Sequence, residues 1–180
     1  MSVLQRGAVT AMADIDRVDE RAVHFEGVFA VCSKAVFAYA RRRATRDVAE
    51  DVVAETFLVA WRRVDELPSE PLPWLIGVAR KVLANRRRSD DRRVALSARL
   101  RSLPACPESA DPGDTWTAAE RVRAAVAALP AGEREVIELL AWEGLSPAEI
   151  ATALEIARAT VYVRLNRARQ RLTRALEEER

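Results

Sequence analysis

Leu139 to Arg174 reads LLAWEGLSPAEIATALEIARATVYVRLNRARQRLTR, and this stretch decides the fold. Inside it, Ser146-Pro147-Ala148-Glu149 has the form of a capping box. The Ser146 hydroxyl accepts from the backbone N–H of Glu149, and the Glu149 carboxylate accepts from the N–H of Ser146. Pro147 takes the first helical position, where a missing N–H costs nothing. Ile150, Ala151 and Leu154 then make the apolar face of a short helix. A break follows over Glu155 to Arg158. A longer helix next turns Val161, Leu165, Ala168 and Leu172 inward at spacings of four, three and four. Two helices joined by so short a turn form a helix-turn-helix, over about residues 146–165. The second helix of that motif enters the DNA major groove.

The charge of the second helix agrees. Between Ile156 and Ala175 stand Arg158, Arg164, Arg167, Arg169, Arg171 and Arg174, with no acidic residue. A solvated helix face mixes both signs, so a one-signed helix is a footprint for phosphates and base edges rather than a plain two-helix packing unit. Arg158 and Thr160 lie at the helix start, the end that usually meets bases. The candidate DNA set is Arg158, Thr160, Tyr162, Arg164 and Arg167. Arg158 is suited to a guanine edge or a phosphate, with base reading the expectation, and Arg167 is expected to meet a phosphate.

Working outward, 180 residues suit one or two small domains, and a hydrophobic content of 49% allows a packed core. Six glycines and eight prolines amid abundant Ala, Leu, Arg and Glu indicate an all-α protein. No run of apolar residues approaches bilayer length, and the N-terminus lacks an apolar leader. The expectation is a cytoplasmic protein with no membrane insertion. Cys32 and Cys106 are far apart, there is no CxxC, and His24 is the single histidine. That is poor material for zinc or a disulfide framework, and no metal or cofactor is expected. With one histidine, no glycine-rich phosphate loop and no paired polar cluster, little is left for enzyme chemistry. Net charge is only +2, so the distribution of charge matters more than its sum.

Residues 1–22 have weak periodicity and read as a frayed arm or short helix. From His24 to Arg43, Phe25, Val28, Phe29, Cys32, Val36 and Tyr39 recur at spacings of three and four, ending in the basic cluster Arg41-Arg42-Arg43. Cys32 is most simply a small core residue. Asp47 with Glu50 three residues on signals an N-cap. The next helix, about Val48–Val64, has Val48, Val52, Thr56, Phe57, Val59 and Ala60 inward. Asp47, Asp51 and Glu55 make an acidic stripe on its other side. Phosphate would be repelled there, so the stripe suits a basic protein surface or plain solvent. Asp65–Pro73 is a proline-rich loop. Trp74–Arg88 is a helix with Leu75, Val78, Ala79, Val82 and Leu83 inward and Trp74 as a core anchor. From Pro71 to Ser89 there is again no acid. Ser89–Thr115 reads as a linker, and residues 98–115 can span at most roughly 60 Å. Thr117–Glu120 is a second capping box, opening a helix to Leu129 with Val122 and Val126 inward. Another helix covers Glu133–Glu143 and closes at Gly144.

Taken together, these motifs resemble a sigma factor of bacterial RNA polymerase, of the extracytoplasmic-function group within the sigma-70 family. Asp47 to Phe57 resembles that family's DAEDxVQETF stretch, and Pro73 to Arg80 its PWLxxxAR helix. Leu129-Pro130, Arg134-Glu135, Gly144-Leu145-Ser146, Glu149-Ile150-Ala151, Thr160-Val161, Arg164-Leu165 and Arg167-Ala168-Arg169 follow the carboxy-terminal pattern in order. Departures are Glu155 and Ala157 where glycine and serine are usual in the turn, and Tyr162 and Val163 where lysine and serine are common. Lys81 and Asn85 replace asparagine and aspartate.

The resemblance implies two small helical domains joined by a flexible linker: an arm at 1–22, a first domain at 23–96, a linker at 97–115 and a helix-turn-helix domain at 116–180. It implies that Asp47, Glu50, Asp51 and Glu55 meet core RNA polymerase. It further implies that Arg80, Lys81, Asn85, Arg87 and Arg88 meet the unpaired minus-ten element of promoter DNA, with the loop at Asp65–Pro73 beside Trp74 lining a pocket for an extruded base. The carboxy-terminal domain reads the minus-thirty-five duplex, and an anti-sigma factor is the expected protein partner. A stand-alone helix-turn-helix regulator is the alternative, but it leaves the amino-terminal domain idle. A helical adaptor would not need two acid-free basic helices.

Overall fold

The computed structural model describes residues 3–100 and 117–178, which form helices and no strand. The helices are α1 (Val3–Arg41), α2 (Arg46–Arg62), α3 (Pro71–Leu100), α4 (Ala118–Ala128), α5 (Ala131–Ala141), α6 (Pro147–Leu154) and α7 (Arg158–Glu178), with a 3-10 turn at Val64–Glu66. Packing divides the chain into two units, Met1–Asn85 and Arg86–Arg180.

In the first unit α1 packs on α2. Val28, Cys32, Val36, Tyr39 and Ala40 of α1, Ala49, Val52, Phe57 and Ala60 of α2, and Leu75, Ile76, Ala79 and Leu83 of α3 are buried. Each large side chain among them contributes about 1.5–3 kcal/mol by leaving water. Three sequence expectations need correction here. Asp47 is not the N-cap: Thr45 holds that position without a side-chain bond, and Asp47 lies in the first turn, where a negative charge favours the helix dipole. Val48 and Val59 are only partly buried, and Ala49 takes the inward place. Phe25 and Phe29 do not enter the core. They pack over the buried Phe57 and beside Trp61 at the core's edge, with Phe29–Phe57 and Phe25–Trp61 edge to face at 4.7 and 5.2 Å.

Helix boundaries also move outward. α1 begins at Val3, so the presumed arm at 1–22 is largely helix. α3 begins at Pro71, inside the presumed loop, because the first N–H groups of a helix need no partner and Pro71 and Pro73 give up nothing there. It continues to Leu100, through the start of the presumed linker. The remainder of that linker, 101–116, lies outside the described residues. Trp74 is half-buried rather than a core anchor, with the Arg63 guanidinium 5.8 Å from its ring centre. Glu20–Arg41 of α1 is long and apolar enough to cross a membrane by composition, with a mean hydropathy of 1.2 over its best window. This corrects the expectation that no stretch approaches bilayer length. Its apolar residues are interrupted singly by Glu26 and Lys34, so they do not read as a run. Val28, Cys32, Val36 and Tyr39 on this helix are core residues.

In the second unit α4, α5 and α6 all pack on α7. Both capping boxes are present, at Thr117/Glu120 and Ser146/Glu149. Arg134 donates to the carbonyls of Leu129, at 2.8 Å, and Ala127, so it caps the end of α4. Val122, expected inward, is exposed, because α4 is buried only near its C-terminal end through Val126 and Leu129. In α6 Ala153 is buried and Ala151 only partly so. In α7 Leu172 is half-buried, whereas Val161, Leu165 and Ala168 are fully inward.

The turn of the helix-turn-helix closes through a left-handed residue. Glu155 has φ 55° and ψ 42°, the one positive φ outside glycine among the described residues. Its N–H donates to Thr152 and that of Ile156 to Ala151, at 3.3 and 3.1 Å, the paired bonds of a Schellman ending. An L-residue strains in this region by about 1 kcal/mol, and a carboxylate at a helix C-terminus opposes the dipole. Glu155→Gly is therefore expected to stabilise the second unit by about 1 kcal/mol, raising its melting temperature by about 4–8 °C. A thermal melt that is unchanged or lower refutes the strain.

Candidate nucleic-acid and polymerase surfaces

On α2, Asp47, Asp51 and Glu55 are all exposed and one turn apart. Glu50 sits off that line and pairs with Arg46, its Oε1 2.8 Å from the Arg46 Nε. The same line continues into Leu58, 49% exposed, and beside it Trp61, 38% exposed. The sequence reading missed both. The signal was present, since Asp51, Glu55, Leu58 and Arg62 recur at four, three and four. The α2 face is thus acidic at its start and apolar at its end. Trp61 is held by Arg21, whose guanidinium lies 5.9 Å from the ring centre and whose Nε is 3.3 Å from Asp65 Oδ1.

Arg80, Lys81, Asn85, Arg87 and Arg88 all lie on α3. Lys81, Asn85 and Arg88 share one exposed face at four- and three-residue spacing, while Arg80 is half-buried and shares a second face with Arg87. The loop before α3 does line a groove, of about 540 Å³, but the opposite wall is α1 rather than Trp74. Val23, Gly27, Val28 and Val31 face Pro71 and Leu72, with His24, Cys32 and Glu70 as its ionisable groups. His24 is the aromatic ring among its lining side chains. Burial, and then the Glu70 carboxylate, push the Cys32 thiol above its ordinary range, so it stays protonated and inert.

On α7 the candidate residues divide. Arg158 and Tyr162 are exposed and joined: the guanidinium Nη2 donates to the Tyr162 hydroxyl at 3.3 Å and its carbon lies 5.7 Å from the ring centre. Thr160 is half-buried. Arg164 is half-buried too and folds onto α5, where a methyl group on Gly132 would lie 3.2 Å from its Cζ. Arg171 Nε stands 3.1 Å from Glu133 Oε2, close enough for an ion pair but out of line for a hydrogen bond. Arg167 is exposed, with no hydrogen bond or ion pair among the described residues. Two of the arginines therefore tie α7 to α5 instead of standing clear.

The start of α6 is capped by a charge. The Ser146 hydroxyl, and then the backbone N–H of Ser146, hold the Glu149 carboxyl below its usual value of 4.5. A depressed carboxylate stabilises the fold above the unfolded value and loses that contribution as pH falls through the folded one. The α6 cap is thus expected to be intact at neutral pH and to fail below about 4.5. Glu149→Gln, which keeps the geometry without the charge, should flatten that acid-dependent loss of helicity in a circular-dichroism titration. An identical acid profile for the variant counts against the cap as its source.

Among protein families, residues 28–93 match sigma-70 region 2 and residues 119–172 match sigma-70 region 4. The chain is 37% identical over 143 residues to the ECF RNA polymerase sigma factor SigL of Mycobacterium tuberculosis, covering 76% of this chain and 80% of that one. The chain belongs to the extracytoplasmic-function sigma factors. This sigma factor is also 32% identical to EcfG of Rhodopseudomonas palustris, over 72% of each chain. Its fold is similar to that of RpoE from Bartonella quintana, solved with the anti-sigma factor NepR, with a TM-score of 0.62, 26% identity and coverage of 87% and 98%. It is likewise similar to CnrH, solved with the cytosolic domain of CnrY, at a TM-score of 0.57, 25% identity and coverage of 87% and 89%. The acidic α2 stripe and α3 up to Arg93 fall in region 2, and the helix-turn-helix falls in region 4.

Proposed function

We propose that this sigma factor acts in the cytoplasm, docks on core RNA polymerase through α2, and directs initiation at promoters by contacting the minus-ten strand with α3 and the minus-thirty-five duplex with α7. The observation that carries this reading is the segregation of charge on one chain. Asp47, Asp51 and Glu55 line α2, while Arg158, Arg167, Arg169 and Arg174 crowd an α7 without an acid from Ile156 to Ala175. Acid repels phosphate and suits a basic protein surface; a one-signed basic helix suits nucleic acid. In this reading the chain acts by positioning polymerase on promoter DNA. Because RpoE was solved with the anti-sigma factor NepR, such a factor is the proposed regulator here too.

The test is run-off transcription with core polymerase on genomic promoter fragments, with and without this protein. Discrete protein-dependent start sites are expected. Binding to DNA with no effect on initiation would favour the stand-alone regulator. Within α7, Arg158 and Arg167 lie on opposite flanks of the exposed face, the sides that meet the two phosphate backbones when a helix lies in the major groove. Arg158→Ala or Arg167→Ala is expected to weaken all duplexes alike and lower the salt slope by about one unit. If Arg158→Ala instead relaxes preference at one base pair, Arg158 reads a base edge.

A further inference from the structure

The outermost line of α7 carries a chemistry the arginines do not. Val161, Leu165 and Ala168 are buried, so the helical repeat sets Ala159, Val163, Asn166 and Gln170 on the side facing away from the core. All four are exposed, and Val163 keeps 49% of its surface in solvent. Arg158 and Arg169 flank this line on one side and Arg167 and Arg174 on the other. In a helix lying in the major groove, the outermost line meets base edges and the flanks meet phosphates. Resting on the reading of α7 as the duplex reader, we infer that Val163 and Asn166 read neighbouring A·T pairs. Val163 packs on a thymine methyl, and Asn166 forms a two-bond contact with an adenine.

The chemistry selects those bases. Valine has no polar atom, and the thymine C5-methyl is the only apolar group that a major-groove edge offers. Asn166 presents a donor and an acceptor side by side, and its amide makes no hydrogen bond among the described residues. Adenine matches it with N6–H and N7; guanine offers two acceptors and would leave the amide oxygen unpaired. Residues three apart on a helix are about 5–6 Å apart, against about 3.4 Å per base step, so the two side chains reach adjacent or next-adjacent pairs. Both positions are solvent-facing, so alanine there leaves the core untouched.

The experiment uses the holoenzyme of full-length protein and core polymerase. Promoter duplexes with a randomised upstream element are selected on it. In the selected duplex each thymine is then replaced by deoxyuridine and each adenine by 7-deazaadenine. Loss of one methyl at the thymine under Val163 should weaken wild-type binding by about three- to fivefold, and Val163→Ala should be indifferent to it. Loss of N7 at one adenine should weaken wild type by about five- to tenfold and leave Asn166→Ala unaffected. Neither substitution should change the salt slope. An enriched upstream element whose methyl and N7 losses persist in both variants, or one made of G·C pairs alone, overturns the assignment while leaving α7 as reader. If no upstream sequence is enriched, the reading of α7 falls and this inference with it.

Discussion

Leu139→Ala should cripple the second unit while sparing the first. Leu139 is fully buried on α5, which packs on both α6 and α7. Removing a buried leucine costs about 2–5 kcal/mol through lost transfer energy and the cavity left behind. A unit with roughly 60 ordered residues has only about 3–9 kcal/mol of stability in total. The melting temperature of that unit should fall by more than about 10 °C. Hydrogen exchange followed by mass spectrometry localises the effect, with peptides across 131–178 losing protection and those across 46–83 unchanged. In function, polymerase binding should persist and dependence on the upstream promoter element should vanish. Loss of protection across both units would show that the two fold as one, against their separate cores.

Asp51→Arg is expected to lower affinity for core polymerase about ten- to a hundredfold, or about 1.4–2.8 kcal/mol. Asp51 is central to the α2 stripe, and reversing its charge turns a favourable approach to a basic surface into like-charge contact. The loss should shrink at high salt, because exposed charges are screened over about 10 Å at 0.1 M. Leu58→Ala makes the complementary case. Its exposed half would be buried on docking, so its loss should cost about 1 kcal/mol and depend little on salt. A fluorescence titration of core polymerase at two ionic strengths separates the two. Unchanged affinity for both variants, with helicity intact, would move the docking face off α2.

The parts of this chain legible from sequence were those written in local chemistry. The two capping boxes, Pro147 at the start of α6 and the inward set Val161, Leu165 and Ala168 all stand where spacing placed them. Helix ends were not legible. α3 runs on past Arg88 because extending a helix already nucleated by packing needs one bond per residue and no apolar face, and the polar Ser89–Arg93 stretch gave no periodic signal. Val122 carried the right period but lies beyond the reach of its neighbours, and in the short α6 nothing in the sequence separates Ala151 from Ala153. Long-range pairings were hidden altogether. No spacing rule joins Arg171 to Glu133.

Gly132 gives the recognition helix an address outside itself. A single methyl group at that position would press to 3.2 Å of the Arg164 guanidinium, which would have to yield by a few tenths of an ångström. The moving part is the end of a long side chain, so the fold would tolerate the change, and the consequence would fall on where the charge points. Exchanging α7 between relatives to retarget a promoter is therefore not a self-contained graft. Residue 132, on another helix, helps decide whether Arg164 belongs to the protein's own packing or to its grip on phosphate, and it has to travel with the helix it serves.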